Sequence, residues 1–457
     1  MTASTERPHV LVVFTDQQRW DSTGVHGNPL ELTPNFDRVA AAGTHAFNAY
    51  TCQPVCLPAR SSVQTGRFAT ETGCFTNGGC LRPDEKTLGH WFREAGYRTG
   101  YIGKWHLCRE DPVPPACRSG YDDWLGSNVL EFSSDAYRAV TYDGDGRPVH
   151  LPGYRVDALT DAAIRYVDAH RREPFFLMLS LLEPHHQNHR DEYAAPEGYR
   201  ERYTGRWTPP DLAAAGAAGS AAWQLGGYWG IVKRIDEAFG RLLDALRSLD
   251  LSERTIVLFT ADHGNHFKTR NGEYKRSCHD GCTRIPFALA GPGFHGGGRR
   301  TELVSLVDVA PTLLDACGLP VPPTVQGRSL LPLVQRRPAA PWREEAFIQI
   351  SETQVGRAIR TARWKYAVNA PDRHPWKDAF AERYVEQFLY DMEADPYEQH
   401  NLAGLETLAD VSADLRARLV RCIREFEGRD AAVEPAPARK AGQSYSPRCA
   451  PDALANP

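Results

Sequence analysis

The chain reads as an α/β protein: a large domain with a mostly parallel central sheet flanked by helices, plus a small C-terminal α+β subdomain. Three observations lead there. Residues 9–15 and 255–260 are continuous apolar, β-branched runs bounded by polar residues, as strands buried on both faces are. Segments with helical spacing alternate with such runs along most of the chain, the pattern of parallel strands joined by crossover helices. Beyond residue 340 short, closely spaced strand patterns replace that alternation.

The elements follow in order. HVLVVFT (9–15) is the first strand. A helix begins near Cys56, because Pro58 suits a helix start. TLGHWFREA (87–95) has helical spacing and stops at Gly96, and 98–102 is a short strand. Residues 155–170 form an amphipathic helix and 175–182 a strand. The segment 227–248 repeats apolar residues at three and four, as a helix packed on a sheet does. The second long strand and a helix at 307–316 complete the large domain, 1–338. A Pro-rich stretch at 320–323 and a basic linker at 336–342 lead to the subdomain, 339–430. There Ala346–Ile350, 356–361 and 364–367 read as strands of a hairpin or meander, and 408–427 as a helix. The remainder, 431–457, is rich in Ala, Pro and polar residues and reads as a flexible tail.

Composition removes several functional classes. A net charge of −4 over 457 residues supplies no basic field to recruit nucleic acid or an anionic membrane. Positive charge that holds an anionic substrate must therefore be local. The opening residues are polar, and the apolar run 10–14 is too short for a secretory or membrane segment. Eleven cysteines, an odd number without small-domain spacing, predict reduced thiols rather than a disulfide framework. The expected compartment is cytoplasmic.

Both long strands end in metal-competent pairs, Asp16-Gln17 and Asp262-His263. Either pair alone reads equally well as a turn or a helix cap. Together, at the carboxyl ends of parallel strands, they can converge on one cation. Cys56 stands at a helix N-terminus, where free amides and the helix dipole favour an anion. Two readings stay open on these grounds: a reactive cysteine with Arg60 nearby, or a buried inert one.

Cys56-Leu-Pro58-Ala59-Arg60, then four residues, then Thr65-Gly66 resembles the signature of the type I, formylglycine-dependent sulfatases of the alkaline phosphatase-like superfamily. Gly103-Lys104-Trp105-His106-Leu107 is similar to that family's second signature, with Cys108 in place of its usual glycine. Thr260-Ala-Asp262-His263-Gly264 resembles its second metal strand. Lys275, Asp280-Gly281 and Arg284-Ile285-Pro286 resemble its lysine block, with His279-Asp280 where many members carry Tyr-Glu. Leu389-Tyr390-Asp391, Asp395-Pro396 and Asn401-Leu402 resemble its closing motif. The match runs in order from His9 to Leu402.

The resemblance implies an arylsulfatase-like hydrolase of aryl or carbohydrate sulfate esters. A maturation enzyme would oxidise Cys56 to formylglycine, whose hydrate bound to a divalent metal is the nucleophile. One hydroxyl attacks sulfur; the other later loses its proton and sulfate is expelled. Asp16, Gln17, Asp262 and His263 would hold the metal beside residue 56. Calcium suits the oxygen ligands, and an imidazole admits manganese or magnesium. Arg60 would fix the diol, and Lys104 and Lys275 would neutralise sulfate oxygens. His106 would take the diol proton and His185 protonate the leaving oxygen, with adjacent His186 as a rival. Asn77, in the Gly-rich stretch 73–79, and residues 351–357 are candidate pocket and rim positions.

Gln17 and His263 depart from the Asp and Asn of many sulfatases. They also resemble phosphonate and phosphate ester hydrolases of the same superfamily, which makes such a hydrolase the alternative function. A third reading is a non-catalytic binding module. Cys52 with Cys56, and Cys278 with Cys282, lack the spacing of a zinc ribbon or finger. His185-His186-x-x-His189 reads as a polar substrate loop. The alcohol part of the substrate, to be selected by loops such as 187–207, and the oligomeric state have no code in one sequence.

Overall fold

The computed structural model describes residues 7–216, 218–336 and 340–442. Ten strands form the main sheet: β1 (His9–Asp16), β2 (Thr44–Tyr50), β3 (Arg98–Lys104), β4 (Asp123–Ser127), β5 (Ala139–Tyr142), β6 (Pro148–Leu151), β7 (Phe175–Pro184), β8 (Thr255–Ala261), β9 (Phe287–Ala290) and β10 (Gly298–Ser305). Their order is β10-β2-β9-β8-β1-β7-β3-β4-β5-β6. The central block β8-β1-β7-β3-β4 is parallel, and β9 runs against both of its neighbours.

Every residue of β1 is buried, which explains its unbroken apolar run. Alternation along it divides the core. Val10, Val12 and Phe14 pack on one side with the helices Cys56–Thr65, Leu88–Glu94 and Val309–Ala316. Leu11 and Val13 pack on the other with Pro34–Ala42, Arg155–Ala169 and Ala221–Ser248. The last helix starts earlier than its sequence period suggested, and β3 runs on to Lys104. The helix expected at 307–316 opens with a 3-10 turn, Leu306–Asp308. β2 and β10 were not legible because THAFNAY and GRRTELVS carry polar residues toward one edge of the sheet.

A second sheet holds β11 (Ala346–Ile350), β12 (Val355–Arg360), β13 (Trp364–Ala370) and β14 (Arg383–Asp391) as an antiparallel meander. β15 (Ala432–Glu434) lies parallel on β14. Part of the segment expected as a flexible tail is therefore a paired edge strand; residues 443–457 lie outside the described residues, as do 337–339 of the expected linker. Phe347, Ile359 and Tyr366 of this sheet, and Leu415 and Leu419 of the helix Ala409–Glu427, belong to the same core as Val10. Among the described residues no helix is long and apolar enough to cross a membrane.

Candidate active site

Because the central strands are parallel, their carboxyl ends meet on one edge of the sheet. Asp16 closes β1, Lys104 closes β3, His185 follows β7, and Asp262-His263 follow β8. The helix Cys56–Thr65, buried throughout, points its N-terminus at this edge. Val55 gives that helix no side-chain cap; Asn77 Oδ1 instead accepts the Leu57 N–H at 3.1 Å. Gly66 ends the helix in the left-handed conformation, at φ 66°. Gly103 is required by contact as well as conformation: a Cβ there would collide with the Ser180 carbonyl of β7.

The side chains converge on Cys56. Its Sγ lies 3.4 Å from Asp16 Oδ1, 3.3 Å from His263 Nε2 and 2.7 Å from Lys275 Nζ. Ligand atoms of Asp16, Cys56, Asp262 and His263 all fall within 4.8 Å of one another. His263 Nδ1 donates to the Gly264 carbonyl at 2.9 Å, which turns Nε2 toward the carboxylates. Arg60 ties the cluster together. Its Nη2 sits 3.0 Å from Asp16 and 3.4 Å from Asp262, and its Nη1 donates to Lys104 O and Ser180 Oγ. Lys104 Nζ bridges Asp16 Oδ2 at 2.8 Å and Glu131 Oε1 at 2.6 Å.

Electrostatics separates Cys56 from its fellow thiols. Burial pushes Cys52, Cys278 and Cys282 up to about 12, so they are neutral. At Cys56 burial and Asp16 also push upward, but Lys275, Lys104 and His263 outweigh them and bring the thiol down to about 7. Burial would raise Asp16 too, yet Lys104, His185, Arg60 and Lys275 hold it well below the usual carboxylate range. Asp262, with Asp16 as its neighbour, is pushed up to about 7 by burial and by that like charge.

The remaining predicted residues fall around this centre. His106 is buried and kept neutral, at about 3, by burial and Lys104; its Nδ1 has no hydrogen-bond partner among the described residues. His185 Nδ1 is bound to the His186 carbonyl and its Nε2 reaches Lys275 Nζ at 3.5 Å. His186 turns instead to Gln17 Oε1 at 3.4 Å and packs on Tyr274. His189 pairs with Asp135. Gln17 Oε1 also accepts from Tyr193 Oη, while its amide nitrogen is buried without a partner among the described residues. A half-turn of that amide exchanges the two atoms. Both Gln17 and His106 hold positive φ, at 67° and 55°, a strain that clusters at functional sites.

Sequence reasoning missed Glu131 and Ser180, which lie outside every motif; Tyr193 and Glu352 fall within the loop 187–207 and the candidate rim 351–357, where no motif singles them out. Glu352 accepts the Asn77 N–H at 2.5 Å and pairs with Arg276 at 2.6 Å, joining the Cys56 helix to the residue after Lys275. From the candidate rim 351–357, Ser351 accepts from Gln53, whereas Arg357 is buried against Glu427 away from the rim.

Comparison with known proteins follows the same lines. A family model described as Sulfatase matches residues 8–319, and one described as N-sulphoglucosamine sulphohydrolase, C-terminal, matches 272–425. The chain is 30% identical to an ulvan-active sulfatase of Formosa agariphila, over 93% of this chain and 83% of that protein. It is 26% identical to an N-acetylglucosamine-6-O-sulfatase of Bacteroides thetaiotaomicron, over 93% and 88%. A solved structure in complex with its substrate D-glucosamine-2-N,6-O-disulfate superposes with a TM-score of 0.78 at 25% identity, covering 93% of this chain and 99% of that one. A phosphonate monoester hydrolase of Silicibacter pomeroyi shares the fold, with a TM-score of 0.71 at 22% identity over 92% and 96%.

Proposed function

The chain belongs to the sulfatase family and is a sulfuric ester hydrolase; from that premise we propose that it hydrolyses a carbohydrate or aryl sulfate through a formylglycine made from Cys56 and one divalent cation. The donor set fits such a cation: two carboxylates, an imidazole with Nε2 facing them, and the side chain of residue 56. The Gln17 amide nitrogen is buried without a hydrogen-bond partner among the described residues, and Asp262 Oδ2 has Arg60 Nη2 at 3.4 Å but no hydrogen bond among them. A turned amide and a bound ion would account for these under-satisfied polar atoms. Asp16, Gln17, Asp262 and His263 would hold it, calcium first, with manganese or magnesium as substitutes. The cation and the hydrated aldehyde, whose oxygens the Cys56 Sγ stands in for, supply a hydroxyl that ionises near neutral pH.

Each protein group then has a task. Arg60 keeps Asp16 and Asp262 oriented, and Lys104 and Lys275 neutralise sulfate oxygens as charge develops. His106, neutral and with Nδ1 unpartnered among the described residues, takes a proton from residue 56. His185 gives a proton to the leaving oxygen. Burial, His186 and Lys275 hold its imidazole neutral, and an arriving sulfate monoanion works in the opposite direction. Residues 1–338 carry this chemistry, and the subdomain 339–430 meets it through Glu352. The odd number and scattered spacing of the cysteines are the ground on which a cytoplasmic location is proposed, with a formylglycine-generating enzyme as the maturation partner.

The observation that carries the reading is the simultaneous approach of Asp16, His263 and Lys275 to Cys56. A carbohydrate sulfate is favoured because the named relatives act on ulvan and on N-acetylglucosamine 6-sulfate. The alternative, a phosphonate or phosphate ester hydrolase, has Gln17 and His263 in its favour. Co-expression with a formylglycine-generating enzyme, then mass spectrometry of the peptide carrying residue 56, tests the nucleophile. Conversion is expected, with faster release of 4-nitrophenol from its sulfate than from an aryl phosphonate. An unmodified Cys56 beside a converted control sulfatase would sink the mechanism; a strong phosphonate preference would install the alternative.

A further inference from the structure

Glu131 brings a second buried carboxylate up to Lys104. It lies on the short helix Leu130–Ser133, 3% exposed, with Oε1 2.6 Å from the Lys104 ammonium. Lys104 is already shared with Asp16 at 2.8 Å. The other Glu131 oxygen is buried and has no hydrogen-bond partner among the described residues. The cation meant to meet the sulfate oxygens thus stands between two carboxylates, one of which, Glu131, lies outside the cluster around Cys56. Arg60, Lys104 and Lys275 face Asp16, Asp262 and Glu131. The divalent cation proposed above would add positive charge beside the two aspartates, which leaves Glu131 as the carboxylate on the far side of Lys104.

We propose that Glu131 selects the anion by its charge, admitting a singly charged ester and disfavouring a doubly charged one. The inference rests on the sulfatase reading above. Net hydrolysis, R–O–SO₃⁻ + H₂O → R–OH + SO₄²⁻ + H⁺, breaks the bond from sulfur to the alcohol oxygen. An oxygen derived from water replaces it, and one proton passes to solvent. The ester carries one negative charge and the released sulfate carries two. A fixed carboxylate beside Lys104 repels the dianion more than the monoanion. Glu131 therefore helps the product leave, and it weakens binding of phosphate monoesters, which are doubly charged at neutral pH.

The test uses the converted, metal-loaded protein turning over 4-nitrophenyl sulfate, inhibited by inorganic sulfate or by methanesulfonate. The two inhibitors share a tetrahedral sulfur head and differ by one charge. Glu131→Gln is expected to shift the ratio of the two inhibition constants about tenfold toward sulfate relative to wild type, by tightening sulfate. Glutamine keeps the shape and leaves Lys104 an acceptor, so a merely structural role would move both constants together. Glu131→Ser is read in the same way should the glutamine variant not fold. A ratio unchanged by substitution, or one that shifts toward methanesulfonate, overturns the proposal and leaves the reaction standing. Absence of 4-nitrophenol release by wild type removes the reaction and this inference with it.

Discussion

Cys56 differs from the other buried thiols by its neighbours: three cationic or imidazole groups act on it, whereas desolvation is the largest influence on Cys52 and Cys278 and prevails there. Replacing it tests the need for two hydroxyls at one carbon. Cys56→Ser should release at most about one equivalent of 4-nitrophenol per protein and then stop, because a lone hydroxyl can accept sulfate and cannot expel it. Stopped-flow absorbance checks this, and steady turnover by the serine variant would contradict it. His185 and His186 are separated by a second substitution. If His185 protonates the leaving oxygen, His185→Ala should cost a poor leaving group such as a sugar hydroxyl about a hundredfold or more in kcat, and 4-nitrophenolate much less. His186→Ala, which strips a contact from Gln17, should not show that dependence on leaving group. Cys56, Lys104 and Lys275 could be picked out of the sequence because they sit in recognisable motifs. Glu131 could not, since it acquires its place only when a distant segment folds against it, and Glu352 fell in the candidate rim without its tie to Asn77 being legible.

At the scale of elements, helix ends are satisfied by partners far along the chain. Asp236, inside the long helix Ala221–Ser248, accepts the N–H groups of Asn35 and Phe36 at 3.0 and 2.8 Å and so caps the helix Pro34–Ala42. Periodicity revealed the long helix because its apolar stripe is local; it could not reveal this cap, which joins segments two hundred residues apart. Burial pushes the Asp236 carboxyl from 3.8 up to about 6, against the pull of those amides. The folded chain therefore holds this proton more tightly than the unfolded chain. The stabilisation is complete below the unfolded value and is lost as pH rises through the folded one. Wild type should lose up to about 1.4 kcal/mol per pH unit from this group between pH 4 and 6. Asp236→Asn should flatten that part of the profile. Urea unfolding at several pH values measures it, and parallel profiles for the two proteins would rule the linkage out.

The whole molecule is held as one body by a shared core and by buried charge between its two sheets. Here the sequence read correctly that a strand meander follows the parallel sheet. It could not show that Phe347 and Leu419 complete the core begun by Val10, because apolar residues carry no label for their partners. The charged counterpart is Lys365 on β13, fully buried and paired with Asp280 and Glu398. Asp280 opens the short helix that follows the Lys275 loop, and Arg270 of that loop donates to the carbonyls of Tyr397 and Glu398. The small sheet thus grips the segment that delivers Lys275 to Cys56. Lys365→Met would leave two buried carboxylates without their cation, a loss of about 3–5 kcal/mol. Adding Asp280→Asn should recover part of that loss, because the uncompensated charge is then smaller. Calorimetry should show one unfolding transition moving down as a unit, and kcat falling with it as the Lys275 loop loosens. A separate early transition, with the large sheet and the activity untouched, would mean that the two sheets do not share their stability.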